Sequence, residues 1–185
     1  MSRIRLAVIG AGAIGRKHID VITQVPQVEL AAIADPSPQA EALAKSLGVA
    51  WYADVDTMLE REQPQGVINA TPNTLHVPCA IACIERGIPV LVEKPVCLTR
   101  EEGECLLQAQ KETGVKVMVG QVVRAFDEYR YLKEVYDNKT LGKLKSIVMQ
   151  RVSGNVRWGF EGWFHDEKKS GSVVLDLHIH DLDFL

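Results

Sequence analysis

The chain has 185 residues, 46% hydrophobic and 24% charged, with a formal net charge of −3. That composition supplies a core and excludes a disordered chain, and an acidic balance without a basic run argues against nucleic acid as the main partner. No apolar stretch approaches the roughly 20 residues that a bilayer-spanning helix needs. Met1-Ser2-Arg3-Ile4-Arg5 leads into a strand without a signal-peptide pattern, so a soluble, cytoplasmic protein is expected.

Strand and helix signals alternate from the start. Arg5 to Ile9 reads as a buried strand, Ala13 to Gln24 as a helix and Val28 to Ala34 as the next strand. Ala40, Leu43, Ala44 and Leu47 recur at helical spacing, with Gly48 as the stop. Val67 to Ala70 predicts a strand, and Thr74 is expected to cap a helix whose stripe is Val77, Ala80, Ile81 and Ile84. Pro78 falls in the first turn of that helix, where it costs no hydrogen bond. Val90-Leu91-Val92 is a short apolar strand, and Thr99-Arg100-Glu101-Glu102 is a capping box opening a helix that Gly114 closes. Val115 to Val119 predicts a further strand. This order implies a doubly wound parallel α/β sheet.

The pattern changes near Gly120. Tyr129, Leu132 and Tyr136 mark a helix, Leu144 to Val152 alternates as a strand does, and Gly154 to Ser170 reads as a loop. Ser172 to Leu185 is expected to be helical and largely apolar. The chain therefore divides into a dinucleotide-binding domain over 1–121 and a second α/β unit over 122–185. About 65 residues make a marginal domain alone, so the second unit is expected to be incomplete.

Gly10-Ala11-Gly12-Ala13-Ile14-Gly15 is a GxGxxG turn between the first strand and the first helix. In this pattern the first glycine permits the turn, the second lets a pyrophosphate approach, and the third lets helix and strand pack closely. Asp35 ends the second strand, where an acid accepts from ribose hydroxyls and repels a 2′-phosphate. No Arg follows it, which favours NAD over NADP. Asn73 and His76 suit a ribose or carboxamide contact, and Asn73 and Thr74 suit a local cap and turn equally well. Glu93-Lys94-Pro95 follows a buried strand, at the carboxyl edge where such sheets keep their ligands. A fixed cation there points to chemistry on an oxygen.

Asp176 and His180 are one helical turn apart, and Asp183 continues their face at i+7. Such a pair either acts as a general base or merely orders the helix. His178 points away from that face and reads as structural. Trp158, Trp163 and Phe164 read as packing anchors. Cys79, Cys83, Cys97 and Cys105 lack CxxC spacing and read as reduced packing thiols, with no metal site.

Together, the Gly10 fingerprint, Asp35, Thr71-Pro72-Asn73…His76, Glu93-Lys94-Pro95 with Thr99, and Trp163-Phe164…Ser170-Gly171…Asp176…His180 resemble the Gfo/Idh/MocA oxidoreductase family, over the whole chain. His180-Asp181-Leu182-Asp183 looks most like its inositol dehydrogenase-type members. The resemblance implies a Rossmann domain binding NAD(P), followed by a mostly antiparallel domain that holds substrate and builds homo-oligomers. It implies cofactor contacts from Gly10, Ala11, Gly12, Ala13, Ile14, Gly15, Asp35, Thr71, Pro72, Asn73, His76, Glu93, Lys94 and Gln121. It implies substrate contacts from Lys94, Arg124, Trp163, Asp176 and His180, and catalysis by Lys94, Asp176 and His180. The implied reaction moves hydride between NAD and a secondary alcohol of a sugar, polyol or inositol-like substrate. Two other readings share the fold: elimination or glycoside cleavage through transient oxidation, and a non-catalytic nucleotide sensor. Ser170-Gly171-Ser172 and His178 depart from the family's pattern. Members of the family are nearly twice this length, so the resemblance implies that much of the second domain is absent.

Overall fold

In the first unit, Met1–Gly120, strands and helices alternate through β1 (Ile4–Ile9), α1 (Ala13–Gln24), β2 (Val28–Ala34), α2 (Pro38–Leu47), β3 (Ala50–Tyr52) and α3 (Val55–Glu62). They continue through β4 (Gly66–Asn69), α4 (His76–Glu85), β5 (Val90–Val92), α5 (Arg100–Thr113) and β6 (Val117–Val119). The computed structural model describes residues 2–152, 154 and 166–185. The six strands form one parallel sheet in the order β3-β2-β1-β4-β5-β6. The order reverses between β1 and β4, which opens a crevice at their carboxyl ends.

The alternating side chains of β1 and β2 explain why both faces are covered. Ala7, Ile9, Ala32 and Ala34 join Met58 and Leu59 of α3 and Val77, Ala80 and Ile84 of α4 in one core. Val8 and Ile33 face the other way, toward Ile19 and Ile22 of α1 and Ala40 and Ala44 of α2. Burying a side chain such as Ile19 contributes roughly 1.5–3 kcal/mol, so each helix is held chiefly by its apolar stripe.

The local signals are realised where they carry their own chemistry. The Thr99 hydroxyl accepts from the Glu102 N–H at 3.1 Å while Glu102 accepts from the Thr99 N–H at 3.2 Å, closing the capping box. Gly48 and Gly114 end α2 and α5 in the left-handed region, as expected of helix stops. Thr74 does not cap α4. A 3₁₀ turn, Asn73–Leu75, comes first, and α4 starts at His76 with no side-chain cap. Neither β3 nor α3 is predicted by the periodicity. β3 has three half-buried residues, too few to show alternation, although Asp54 caps α3 by accepting from the Thr57 N–H at 2.8 Å.

The second unit, Gln121–Leu185, contains a 3₁₀ turn at Val122–Ala125, α6 (Asp127–Asp137), α7 (Glu167–Ser170), a π-helical turn at Val174–His178 and α8 (Ile179–Phe184). The predicted strand over Leu144 to Val152 does not form. Val148 and Val152 are 83% and 93% exposed, and no strand pairs with this stretch among the described residues. Alternation alone cannot satisfy a strand's backbone groups without a neighbour. The described residues of this unit are helical or irregular. Residues 167–170, expected in a loop, form a helical turn capped by Asp166. No described helix is long and apolar enough to cross a membrane.

Candidate functional site

The glycine turn is shaped by contacts that a larger residue would break. Gly10 has φ +85°, and a Cβ on it would lie 2.6 Å from the Ala70 carbonyl oxygen after β4. A Cβ on Gly15 would lie 1.8 Å from the Gly10 carbonyl oxygen, so this glycine seats α1 against the turn. A Cβ on Gly12 would meet nothing within 4 Å. Gly12 is also the N-cap of α1 and provides no side-chain cap, so no capping side chain takes up the first-turn N–H groups. Asp35, just past β2, grips the turn: its Oδ2 accepts from the Ala11 N–H at 2.7 Å and its Oδ1 from the Ser37 N–H at 2.8 Å. A carboxylate offers about four lone-pair sites, so capacity remains for two hydroxyls. An open glycine at a helix N-terminus beside an oriented acid fits a dinucleotide's pyrophosphate and ribose.

At the end of β4, Asn69 is fully buried and organises the next loop. Its Nδ2 donates to the His76 carbonyl at 2.8 Å, and its Oδ1 accepts from the Thr71 hydroxyl at 2.7 Å and the Thr71 N–H at 3.3 Å. Pro72 is exposed and Asn73 is buried. His76, expected at the cofactor, lies beneath the loop surface. It is 1% exposed, with Nδ1 2.7 Å from the Pro95 carbonyl oxygen and Nε2 2.9 Å from that of Thr71. Both carbonyls can only accept, so the neutral ring donates to one of the two at a time, and His76 ties the β4 loop to the turn after β5. Burial pushes its pKa below the ordinary value, against the pull of the two carbonyls and Glu93.

Glu93-Lys94-Pro95 follows β5 on the same carboxyl edge, with Glu93 and Lys94 half-buried, Pro95 buried and the Lys94–Pro95 bond cis. Glu93 Oε1 lies 2.7 Å from Nε2 of His18 on α1, and its Oε2 accepts from the Lys94 N–H at 3.3 Å. Burial raises the Glu93 pKa, but the hydrogen bond and charge of His18, with Lys94, outweigh it and hold the carboxyl below its usual range. His18 lacked any local signal; its partner is 75 residues away.

In the second unit, Asp176 lies within the π turn and His180 in α8, both half-buried. Asp183 does not extend their stripe freely: both its oxygens accept from Arg124, at 2.6 and 2.7 Å. The most buried acid of this helix is Asp181, which the face reading passes over. It is clamped by Arg151 at 2.7 Å and by Nδ1 of His178 at 3.1 Å, and Arg151 also donates to the Tyr129 hydroxyl. These hydrogen bonds hold the Asp181 carboxyl below the usual range against its burial. Gln121 Oε1 is buried and accepts no hydrogen bond among the described residues. Trp163, with Trp158 and Phe164, lies outside the described residues.

The cysteines are free, and burial pushes the Cys79 and Cys83 thiols up to about 11 and about 12, away from the thiolate form. Among the described residues, no group of three or more His, Cys, Asp or Glu has an arrangement that would hold a metal ion.

A parallel sheet with this strand order, a glycine turn at its switch point and an acid after β2 defines a dinucleotide-binding protein of the Rossmann class. Residues 4–121 match the model of an oxidoreductase family with an NAD-binding Rossmann fold, and residues 129–185 match the GFO/IDH/MocA C-terminal domain. The chain belongs to the Gfo/Idh/MocA oxidoreductase family. It is 32% identical to scyllo-inositol 2-dehydrogenase (NAD(+)) of Bacillus subtilis, over 98% of this chain and 52% of that protein. It is 29% identical to 2,7-anhydro-N-acetylneuraminate hydratase of Mediterraneibacter gnavus, over 99% of this chain and 48% of that one. Among solved structures, scyllo-inositol dehydrogenase from Lactobacillus casei with bound NAD(H) and scyllo-inositol superposes with a TM-score of 0.73 at 27% identity. That superposition covers 76% of this chain and 43% of the other. The chain spans about half the length of the curated relatives it matches.

Proposed function

We propose that the protein is an NAD-dependent oxidoreductase that transfers hydride between the nicotinamide and a secondary alcohol of a sugar, polyol or inositol-like substrate. The observation that carries this reading is the pairing of the open Gly12 turn with the Lys94 turn on one carboxyl edge of the sheet. The similarity to a dehydrogenase named for NAD(+) and scyllo-inositol supports it.

The N–H groups of Gly12, Ala13 and Ile14 would hold the pyrophosphate, with Gly10 and Gly15 shaping the turn and Ala11 linking it to Asp35. Asp35 accepts from the adenosine ribose and disfavours a 2′-phosphate, so NAD is preferred to NADP. Thr71, Pro72, Asn73 and Glu93 border the cofactor, and Gln121 offers it a carbonyl acceptor. Bound NAD supplies the acceptor for the hydride that leaves the alcohol carbon. Lys94 stabilises the negative charge that grows on the substrate oxygen as its proton departs. His180 takes that proton, with Asp176 stabilising the imidazolium. Arg124, through the nitrogen that Asp183 leaves, and Trp163 contact the substrate. The enzyme acts in the cytoplasm on a small molecule rather than on nucleic acid, and the whole protein self-associates.

The chain spans about half the length of its relatives and is expected to be a poor catalyst alone, so the test is NAD reduction by the full-length protein, followed at the nicotinamide absorbance across a panel of polyols, inositols and sugars. Turnover is expected with at least one of them. Lys94→Ala should keep NAD binding and lose turnover by on the order of 10²–10³, the usual cost of one electrostatic stabiliser. Wild-type turnover in Lys94→Ala would remove Lys94 from the chemistry. A second reading, elimination through transient oxidation, is favoured by the similarity to a hydratase. It predicts an unsaturated or hydrated product with no net NADH.

A further inference from the structure

Lys94 is anchored on both sides by histidines that belong to different helices, and the functional reading uses neither contact. After it, the Pro95 carbonyl lies 2.7 Å from the buried His76 of α4. Before it, the Glu93 N–H donates to the Asn69 carbonyl at 2.9 Å, and the Glu93 side chain reaches His18 at 2.7 Å. His18 stands on α1, the helix that Gly15 seats against the glycine turn. Its contact with Glu93 needs a proton on Nε2, which the neutral ring can supply as well as the imidazolium. The His18 and Glu93 side chains are 26% and 19% exposed, so this pair is sheltered more than a surface ion pair. The space is fitted as well: a Cβ on Gly120, after β6, would lie 3.3 Å from the Glu93 carboxyl carbon and from both its oxygens. Glycine there leaves the carboxylate its place.

We propose that His18 is a positioning residue for Lys94: by holding the Glu93 carboxylate, it locks the Lys94 main chain to the helix that carries the glycine turn. The cation and the dinucleotide turn then move as one piece, instead of as two loops on a common edge. A side chain that only filled space or added an ion pair would stabilise the unit without this coupling. The proposal rests on the functional reading of Lys94, and its test separates the two.

The test uses the full chain with His18→Ala, His18→Gln, Glu93→Ala and the double variant His18→Ala/Glu93→Ala. In ¹⁵N-labelled protein the Lys94 amide resonance should move in His18→Ala, move the same way in Glu93→Ala and show no further shift in the double variant. His18→Gln, which keeps an N–H donor, should bring it back toward wild type. In turnover, His18→Ala should lower kcat by about 10- to 100-fold, the scale of a misplacement near 1 Å, while KM for NAD changes by about twofold or less. His18→Gln should recover part of that loss, and His18→Ala should cost nothing more in the Glu93→Ala background, as coupled residues require. An unmoved Lys94 amide in His18→Ala overturns the proposal, and so does a loss that simply adds to that of Glu93→Ala. If wild-type protein binds no NAD, the functional reading fails, and the amide measurements still decide the brace.

Discussion

Gly15→Ala puts the packing of the glycine turn to a test that needs no cofactor. The new Cβ would stand 1.8 Å from the Gly10 carbonyl oxygen and 2.9 Å from its carbon. That is about 1.5 Å closer than such atoms ordinarily approach. The obstacle is backbone, so no side chain can rotate away, and α1 must shift relative to β1. Overpacking of this kind costs roughly 1–3 kcal/mol or more, and the better helix propensity of Ala returns only about 0.5–1 kcal/mol. A net loss of about 2 kcal/mol is expected. Gly12→Ala is the control, because its Cβ meets nothing within 4 Å and its φ is −70°. Its stability cost should stay below about 1 kcal/mol, the scale of an altered N-cap. Urea unfolding followed by circular dichroism should separate the two midpoints by about 0.5–1 M, given slopes of roughly 1–3 kcal/mol/M. Equal midpoints would refute the close seating of α1. Gly12→Ala should in turn weaken NAD binding while leaving the fold intact.

Three further outcomes follow from other parts of the molecule. Thr99→Ala should cost about 1 kcal/mol of stability by opening the capping box, seen as a lower urea midpoint; an unchanged midpoint would mean that the box contributes nothing. Asp181→Asn should destabilise the second unit by about 1–3 kcal/mol, because it uncouples Arg151 and His178 from a buried acid. Native-state hydrogen exchange of α8 reports that loss, and unchanged protection there would contradict it. Acid should weaken the first unit. His76 and Glu93 both have folded pKa values below the ordinary 6.5 and 4.5, so the unfolded chain binds more protons than the native one. Their contribution is present at neutral pH; that of His76 fades as pH falls below about 6.5 and that of Glu93 below about 4.5. The urea midpoint should therefore drop between pH 7 and pH 4, and a midpoint rising over that range would contradict the assignment.

The parts of the fold legible in sequence are those whose signals are local. The α1 and β2 boundaries, the Gly48 and Gly114 stops and the Thr99–Glu102 box depend on neighbours within a few residues. The three-residue β3 is too short to carry a period, and Leu144 to Val152 carries a period without a partner strand. The candidate site divides in the same way. The GxGxxG turn, Asp35 and Glu93-Lys94-Pro95 announce themselves by residue type at a strand end. A histidine after a βα loop is chemically apt for a ligand contact, and the fold adds that both ring nitrogens of His76 lie against main-chain carbonyls. His18 with Glu93 and Asp181 with Arg151 are separated by 75 and 30 residues, so neither pairing leaves a trace in local spacing.

If the carboxyl edge formed by Gly10 to Gly15 and Asp35 holds NAD, isothermal titration of the chain with NAD will register it. One saturable site is expected, weakened by Gly12→Ala and by Asp35→Ala and tighter for NAD than for NADP. No measurable heat with either dinucleotide, from a chain that circular dichroism shows to be folded, would mean that this edge is not a dinucleotide site.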